Sequence, residues 1–239
     1  MPLRAPRPPS GPGSGPGAPR ALFLDFDGLI CDTERAAHQS WQELYTRLGL
    51  VFDRRVWARM TGRSNGEDTA AAELARRLGR PLRSGELAWR RERKRWLCDQ
   101  EPLRPGVAAL IDAAAGRALA LAVVSSSSRS WVRPHLERLH VHHRFHVVVT
   151  GDDTPAHKPA PDLYLLALAR TGLGPGAVVA FEDSPSGVRA AQAAGLRCVA
   201  VPSSVGSRAD VAGADVVLDS LADYRPDAAF AVMEGMVTR

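Results

Sequence analysis

Cysteines, aromatic residues and long apolar runs are all scarce in this chain of 239 residues. The three cysteines, Cys31, Cys98 and Cys198, are odd in number and far apart, which argues against a disulfide framework. No apolar run reaches about 18 residues, so no transmembrane helix is expected. The amino-terminal residues also lack the apolar segment of a secretory signal. These absences predict a cytoplasmic protein without a membrane partner, whose cysteines are small buried hydrophobic residues.

The charge of the chain is moderately basic, with a formal net value of +5. Arginines in the amino-terminal segment and in the run at residues 90–95 account for much of it. A charge run on a helix is typical of a solvated face, and the alternative is that it attracts a phosphorylated substrate. No zinc finger, RNP-like motif or aromatic-interleaved basic stripe is present. We therefore expect a small anionic metabolite as the partner, and no nucleic acid.

The order of apolar patterns predicts one larger domain with a smaller one inserted. Residues 1–19 are rich in Pro, Gly, Ser and Arg and predict a disordered tail. Helical spacing then predicts an uninterrupted series of helices at residues 33–48, 53–60, 64–78 and 84–100.

From residue 106 onward, predicted helices alternate with short apolar runs. This alternation predicts an α/β fold with a doubly wound parallel sheet. Residues 20–32 and 104–239 would form this core domain, and residues 33–103 would form an all-helical cap above it.

Polar side chains follow the predicted strands directly. The run at residues 21–24 ends in Asp25 and Asp27, whose spacing points both carboxylates to the same side of an extended chain. Two carboxylates in a dry site repel each other, so a metal ion or an anionic substrate with counter-charges is expected there. Because the carboxyl ends of parallel strands meet at one edge, we expect five further residues to lie close by: Ser125, Ser126, Lys158, Glu182 and Asp183.

Together these groups are suited to phosphoryl transfer. The carboxylates supply the hard oxygen ligands that Mg²⁺ prefers. The lysine, with the hydroxyl and backbone N–H groups of Ser125 and Ser126, would bind phosphate oxygens. One carboxylate could act as the nucleophile while its neighbour transfers protons.

In combination, four motifs resemble the haloacid dehalogenase superfamily of phosphotransferases. They are DFDGLICDTE at residues 25–34, VVSSS at 123–127, KPAPD at 158–162 and FEDSPSG at 181–187. The resemblance covers about residues 20–201 and implies a Rossmann-like core. The place of the helical insertion resembles the subgroup with a small α-helical cap, which includes sugar-phosphate phosphatases and β-phosphoglucomutase.

The resemblance implies a role for each motif residue. Asp25 would be the nucleophile, and Asp27 the general acid/base whose backbone carbonyl also binds Mg²⁺. Asp183, with Glu182 nearby, would complete the metal site. Ser125 and Lys158 would bind the phosphoryl group.

The implied reaction is Mg²⁺-dependent hydrolysis of a small phosphomonoester, such as a sugar phosphate, through an aspartyl-phosphate. The dehalogenase branch has no acid at the position of Asp27, so this aspartate indicates phosphate esters. We expect a monomer or a weak dimer.

A hexose-phosphate mutase of the β-phosphoglucomutase type is the alternative. The arginine that binds the second phosphate in that enzyme falls near Asn65, and its proton-relaying histidine falls near Ala37. Arg63 and His38 stand only one or two positions away. The mismatch favours hydrolysis. A catalytically silent regulatory relative is disfavoured, because all four motifs are present.

Two other groups of residues have a structural interpretation. Trp41 and Trp131 are predicted to be packing residues rather than substrate platforms. A set of histidines near one helix end could form a zinc site, but solvent-facing positions explain them adequately. These histidines are His135, His140, His142, His143 and His146.

Overall fold

A parallel sheet lies at the centre of the computed structural model, which describes residues 19–53, 55–57 and 66–223. Its six strands run in the order β3-β2-β1-β4-β5-β6. They are β1 (Ala21–Leu24), β2 (Ala120–Val124), β3 (Val147–Val149), β4 (Val178–Glu182), β5 (Arg197–Ala200) and β6 (Val216–Val217). The strand order reverses between β1 and β4, and in such sheets a ligand crevice forms at the carboxyl ends on either side of this point.

The central strand β1 is buried on both faces, as its unbroken apolar sequence predicts. It pairs with β2 on one side and β4 on the other, and Leu24 is in register with both Val123 and Phe181. The three strands therefore end almost level with one another. The polar residues that follow them emerge at the same edge of the sheet.

Helices cover both faces of this sheet, which confirms the doubly wound arrangement. On one face, α4 (Val107–Gly116) and α5 (Arg129–Arg138) pack around Leu22 and Leu24. On the other face, α6 (Asp162–Thr171) and α7 (Pro185–Ala193) pack around Phe23. The three cysteines are buried and free, as predicted.

The segment between β1 and α4 consists, where it is described, of helices joined by turns and loops, with no strand. It contains α1 (Thr33–Arg47), α2 (Gly66–Leu78) and α3 (Ser84–Gln100), and residues 55–57 are also helical. These helices share their own apolar cluster around Trp41, whose predicted packing role is confirmed. The Rossmann-like core with a helical cap is therefore observed. The division at residues 33 and 103 stays a prediction.

Some predictions fall outside the described residues. They are the tail, apart from Pro19, the part of the predicted core domain at 224–239, and the parts of the predicted helices at 54, 58–60 and 64–65, together with the mutase-related positions Arg63 and Asn65. Within the described ranges, no helix combines the length and apolar character needed to span a membrane.

Candidate active site

Asp25 occupies the position directly after β1, where its carboxylate meets a lysine. The Asp25 backbone N–H continues the sheet by donating to the carbonyl of Phe181 at 3.0 Å. Lys158 donates from Nζ to Asp25 Oδ1 at 2.5 Å and to the carbonyl of Val124 at 2.8 Å. The lysine is thus held at the end of β2 while it contacts the predicted nucleophile.

The same lysine contacts a second carboxylate, that of Glu182 at the end of β4. The Lys158 Nζ lies 2.6 Å from Glu182 Oε1, and the Tyr164 hydroxyl donates to this oxygen at 2.5 Å. Glu182 is fully buried, and its Oε2 has no hydrogen-bond partner among the described residues. Burial alone would lower the pKa of Lys158, but the two carboxylates outweigh it and raise that pKa above its ordinary value.

An acidic cluster forms where these residues meet the next motif. One oxygen each of Asp25, Glu182 and Asp183 lies within 4.8 Å of the others. Burial, followed by the nearby carboxylates of Asp25, Glu34 and Glu182, raises the pKa of Asp183 well above its ordinary value. Three carboxylates face one ammonium, so the fully ionised cluster would carry two uncompensated negative charges. This hard-oxygen donor set and its charge fit a divalent cation such as Mg²⁺.

Asp27 lines the same cleft but lies outside the acidic cluster. Its Oδ1 accepts hydrogen bonds from the Thr33 hydroxyl at 2.7 Å and from the indole N–H of Trp131 at 2.9 Å. Its Oδ2 accepts from the hydroxyls of Ser127 at 2.6 Å and Ser125 at 3.3 Å. Four donors from three parts of the chain therefore hold this carboxylate.

The serine-rich turn after β2 borders the acidic residues. Ser125 is buried, and its backbone N–H donates to the carbonyl of Val149 at 3.0 Å. The Ser126 hydroxyl accepts from the backbone N–H of Lys158 at 3.3 Å. The turn thus places both hydroxyls beside Lys158 and Asp27, where they can contact an anionic group.

A cleft of about 490 Å³ opens above these residues, within the size range of small-molecule sites. It is lined by every predicted site residue except Glu182, which is fully buried. The far wall comes from the helical segment, through Glu34, Trp57, Glu67, Arg90 and Lys94. Burial raises the pKa of Glu34 to about 7.

The basic run on α3 differs from the predicted solvated face. Arg90 is only 3% exposed, and its guanidinium contacts Glu67 Oε1 at 2.7 Å and the Ser40 hydroxyl at 3.2 Å. The Lys94 ammonium lies 4.9 Å from the ring centroid of Trp131 and contacts no carboxylate among the described residues. The prediction is wrong for Arg90 and Lys94, because that side of α3 faces the cleft, whereas Arg91, Glu92 and Arg95 are exposed as predicted.

Two further predictions need correction. Trp131 is not only a packing residue, because its N–H reaches Asp27. His135 is not solvent-facing, because it is 5% exposed and its ring lies 5.9 Å from that of Phe26 and 4.5 Å from that of Trp131.

Sequence reasoning missed four residues that contact the predicted site. Thr33 and Ser127 lie within the first two motifs, so their place in the motifs could have indicated a role for them. Trp131 and Tyr164 carry no comparable local signal.

Comparison with known proteins agrees with this geometry. Residues 22–201 match the family described as haloacid dehalogenase-like hydrolase. YhcW of Bacillus subtilis (strain 168), named as a candidate phosphatase, is 38% identical over 205 residues, covering 85% of this chain and 93% of the relative. Fructose-1-phosphate phosphatase YqaB of Escherichia coli (strain K12) is 32% identical over 192 residues, covering 75% of this chain and 95% of the relative.

A solved structure adds a likeness in three dimensions. The crystal structure of CbbY from Rhodobacter sphaeroides in complex with phosphate has a TM-score of 0.66 and 32% identity, covering 85% of this chain and 95% of that chain. The matched segment of the family contains every predicted site residue from Asp25 to Asp183. Fold, cleft and relatives lead to one assignment: this chain belongs to the haloacid dehalogenase-like hydrolases and is a phosphomonoester hydrolase.

Proposed function

We propose that the protein is a Mg²⁺-dependent phosphatase that hydrolyses a small phosphomonoester, such as a sugar phosphate, through an aspartyl-phosphate on Asp25. One observation carries the proposal. Asp25 lies within a buried acidic cluster and contacts Lys158, and it shares a cleft with the separately held carboxylate of Asp27.

The acidic cluster is the proposed metal site. Asp25, Asp183 and the backbone carbonyl of Asp27 would hold Mg²⁺, with Glu182 nearby. When bound, the ion would offset negative charge on the phosphoryl oxygens and on the cluster. Lys158 and the serine hydroxyls would bind the remaining phosphoryl oxygens.

In the first step, an Asp25 oxygen forms a bond to phosphorus while the ester P–O bond breaks. Protonated Asp27 gives its proton to the leaving oxygen, so an alcohol departs. In the second step, Asp27 takes a proton from water as the water oxygen bonds to phosphorus. The Asp25–phosphorus bond then breaks, and inorganic phosphate and the starting carboxylate are restored.

Two observations support a sugar-like leaving group. The far wall of the cleft offers carboxylates at Glu34 and Glu67, which can accept hydrogen bonds from hydroxyl groups, beside the ring of Trp57. The relative YqaB is named for a phosphorylated sugar. Cytoplasmic location and a monomeric or weakly dimeric state remain predictions.

The mutase alternative is not favoured. Ala37 lines the cleft at the position expected for the proton-relaying histidine. The adjacent His38 instead packs its ring against Phe52 at 5.4 Å and Trp57 at 4.9 Å. Hydrolysis needs no such histidine, because water is the second acceptor.

The test is phosphate release from a panel of sugar phosphates, nucleotides and other phosphomonoesters, with Mg²⁺ or with EDTA. Asp25→Asn should abolish turnover with the fold intact, because the carboxylate nucleophile is lost. Asp112→Asn is the matched control, since Asp112 is exposed and pairs with Arg144 away from the cleft.

Release that needs both Mg²⁺ and Asp25 supports the proposal. Full activity of Asp25→Asn would contradict the mechanism. Conversion of a hexose 1-phosphate to its 6-phosphate, without phosphate release, would instead support the mutase.

A further inference from the structure

Among the described residues, Trp131 is the one tryptophan whose indole N–H donates a hydrogen bond to a predicted catalytic carboxylate. Its Nε1 lies 2.9 Å from Asp27 Oδ1, although 104 residues separate the two positions. We propose that Trp131 is a positioning residue that fixes the carboxyl of Asp27 for proton transfer to the leaving oxygen. This inference rests on the proposed phosphatase function.

The indole itself is held on two sides. Within α5, the ring of His135 packs edge to face against it at 4.5 Å between centroids. From the cap segment, the Lys94 ammonium lies 4.9 Å from the ring centroid, within the range of a cation–π interaction. These contacts restrict rotation of the ring, so the direction of its N–H is set by packing and not by Asp27 alone.

Each oxygen of Asp27 accepts two hydrogen bonds from the described residues, and the indole supplies one of the two at Oδ1. Asp27 Oδ1 accepts from only Trp131 and Thr33 among the described residues, and Thr33 comes from the start of α1. Without the indole N–H, Oδ1 would keep a single donor, and three hydrogen bonds instead of four would hold the carboxyl against rotation about its Cβ–Cγ bond. Small displacements of a general acid reduce its contribution, which is typically about 10²–10⁴-fold.

A purely structural role would act differently. It would change stability, or it would reduce the rates for all substrates by the same factor. Loss of a residue that positions the general acid should instead slow substrates according to their leaving group. An acidic phenol departs as its anion without a proton, whereas an alkoxide needs one. The value of kcat/KM isolates this step, since it covers only the events up to departure of the alcohol.

The experiment compares Trp131→Phe with wild type on p-nitrophenyl phosphate and on the alkyl phosphate that the panel ranks first. Phe keeps an aromatic face for Lys94 and removes the N–H. We expect kcat/KM for the alkyl phosphate to fall about tenfold or more, and that for p-nitrophenyl phosphate to stay within about twofold.

Thr33→Val, which removes the other donor to Oδ1, should give the same pattern. Trp96→Phe is the matched control, because Trp96 is 53% exposed and packs on Arg93.

Replacement of Trp131 by 3-benzothienylalanine controls for misfolding of Trp131→Phe, because it keeps the ring shape and exchanges only the N–H for sulfur. The same leaving-group dependence in this variant supports the inference. Equal losses on both substrates, or no loss on either, would overturn it. If wild type releases phosphate from no compound, the proposed function itself has failed, which is a distinct result.

Discussion

At the scale of single residues, Lys158 connects the two carboxylates that the site buries most deeply. Its ammonium contacts both Asp25 and Glu182, so a single positive charge is shared between two carboxylates. A buried carboxylate without partners costs several kcal/mol, and Glu182 is fully buried. The Tyr164 hydroxyl therefore matters, because it is the second donor to Glu182 Oε1.

Removing that hydroxyl should be costly. Tyr164→Phe leaves Glu182 Oε1 with Lys158 alone, and loss of a hydrogen bond to a buried charged group costs about 1–3 kcal/mol. We expect a decrease of that size in the free energy of unfolding, measured with urea in EDTA. Tyr45→Phe is the matched control, because Tyr45 donates at 3.3 Å to a neutral backbone carbonyl within the helical segment and should cost less. Equal losses for the two variants would contradict the assigned role of Tyr164.

The motif residues were predictable because their signals are local. Asp25 and Asp183 closely follow short apolar runs and Lys158 ends the loop after a third run, and parallel strands bring such positions together. Tyr164 and Trp131 were not predictable in the same way, since each lies on a helix at a position that ordinary packing also explains. Their partners lie 18 and 104 residues away, and only the packed fold shows the contact.

At the scale of secondary-structure elements, the loop from β1 to α1 packs directly against the loop that follows β4. Gly28 has a φ of +84°, and a Cβ at this position would collide with the Asp183 carboxylate. Arg104 joins the same region, donating to the backbone carbonyls of Gly28 and Pro202. The two loops that carry the acidic cluster are thus positioned by close backbone approach.

Gly28→Ala should damage both stability and the metal site. The left-handed backbone costs a residue with a Cβ about 1–2 kcal/mol, and the methyl group would displace Asp183. We expect the Mg²⁺ concentration for half-maximal phosphate release to rise at least about tenfold, which equals about 1.4 kcal/mol of binding free energy.

Gly49→Ala is the control that isolates the effect of the left-handed backbone on stability. Gly49 has a similar φ of +73° but no atom within 4 Å of an added Cβ. It should lose a similar backbone contribution to stability while its Mg²⁺ requirement stays unchanged. A matching rise in that requirement for both variants would show that contact with Asp183 is not the cause.

The elements themselves were largely predictable, whereas the environment of α3 was not. Its bounds, Ser84–Gln100, agree with the predicted 84–100 because a helix-favouring run continues without Gly or Pro from residue 86 to 100. The burial of Arg90 depends on Glu67 from α2 and Ser40 from α1. A local pattern of charges does not contain those partners, so it indicated solvent.

At the scale of the whole molecule, the cleft joins the sheet edge to the helical segment. The acidic cluster comes from the sheet edge, while Glu34 and Lys94 come from helices on the other side. Thr33 begins α1 and also contacts Asp27, so the inserted segment begins at the predicted general acid. In the proposed mechanism, substrate selection and proton transfer would therefore depend on both parts of the chain.

The charge of this site makes stability depend on pH. Burial, with the charges of Glu182 and Asp27, raises the pKa of Asp25 from 3.8 to about 8, although Lys158 acts in the opposite direction. The folded metal-free protein thus binds a proton that the unfolded chain has already lost above pH 3.8. Its free energy of unfolding should therefore fall as pH rises from about 4 to about 8.

The stabilisation of the folded protein by Mg²⁺ should increase as pH rises, because Mg²⁺ binds the ionised carboxylates and displaces their protons. A ligand that binds only the folded state raises the melting temperature. We expect the difference in Tm between Mg²⁺ and EDTA, measured by calorimetry, to be larger at pH 8.5 than at pH 6. In Asp25→Asn the difference should be smaller at both pH values, because a ligand and a titrating group are both lost, whereas Asp112→Asn should behave as wild type. A Tm difference that is the same at pH 6 and pH 8.5 in wild type would mean that Mg²⁺ does not bind at carboxylates with raised pKa values, and the acidic cluster would lose its proposed role as the metal site.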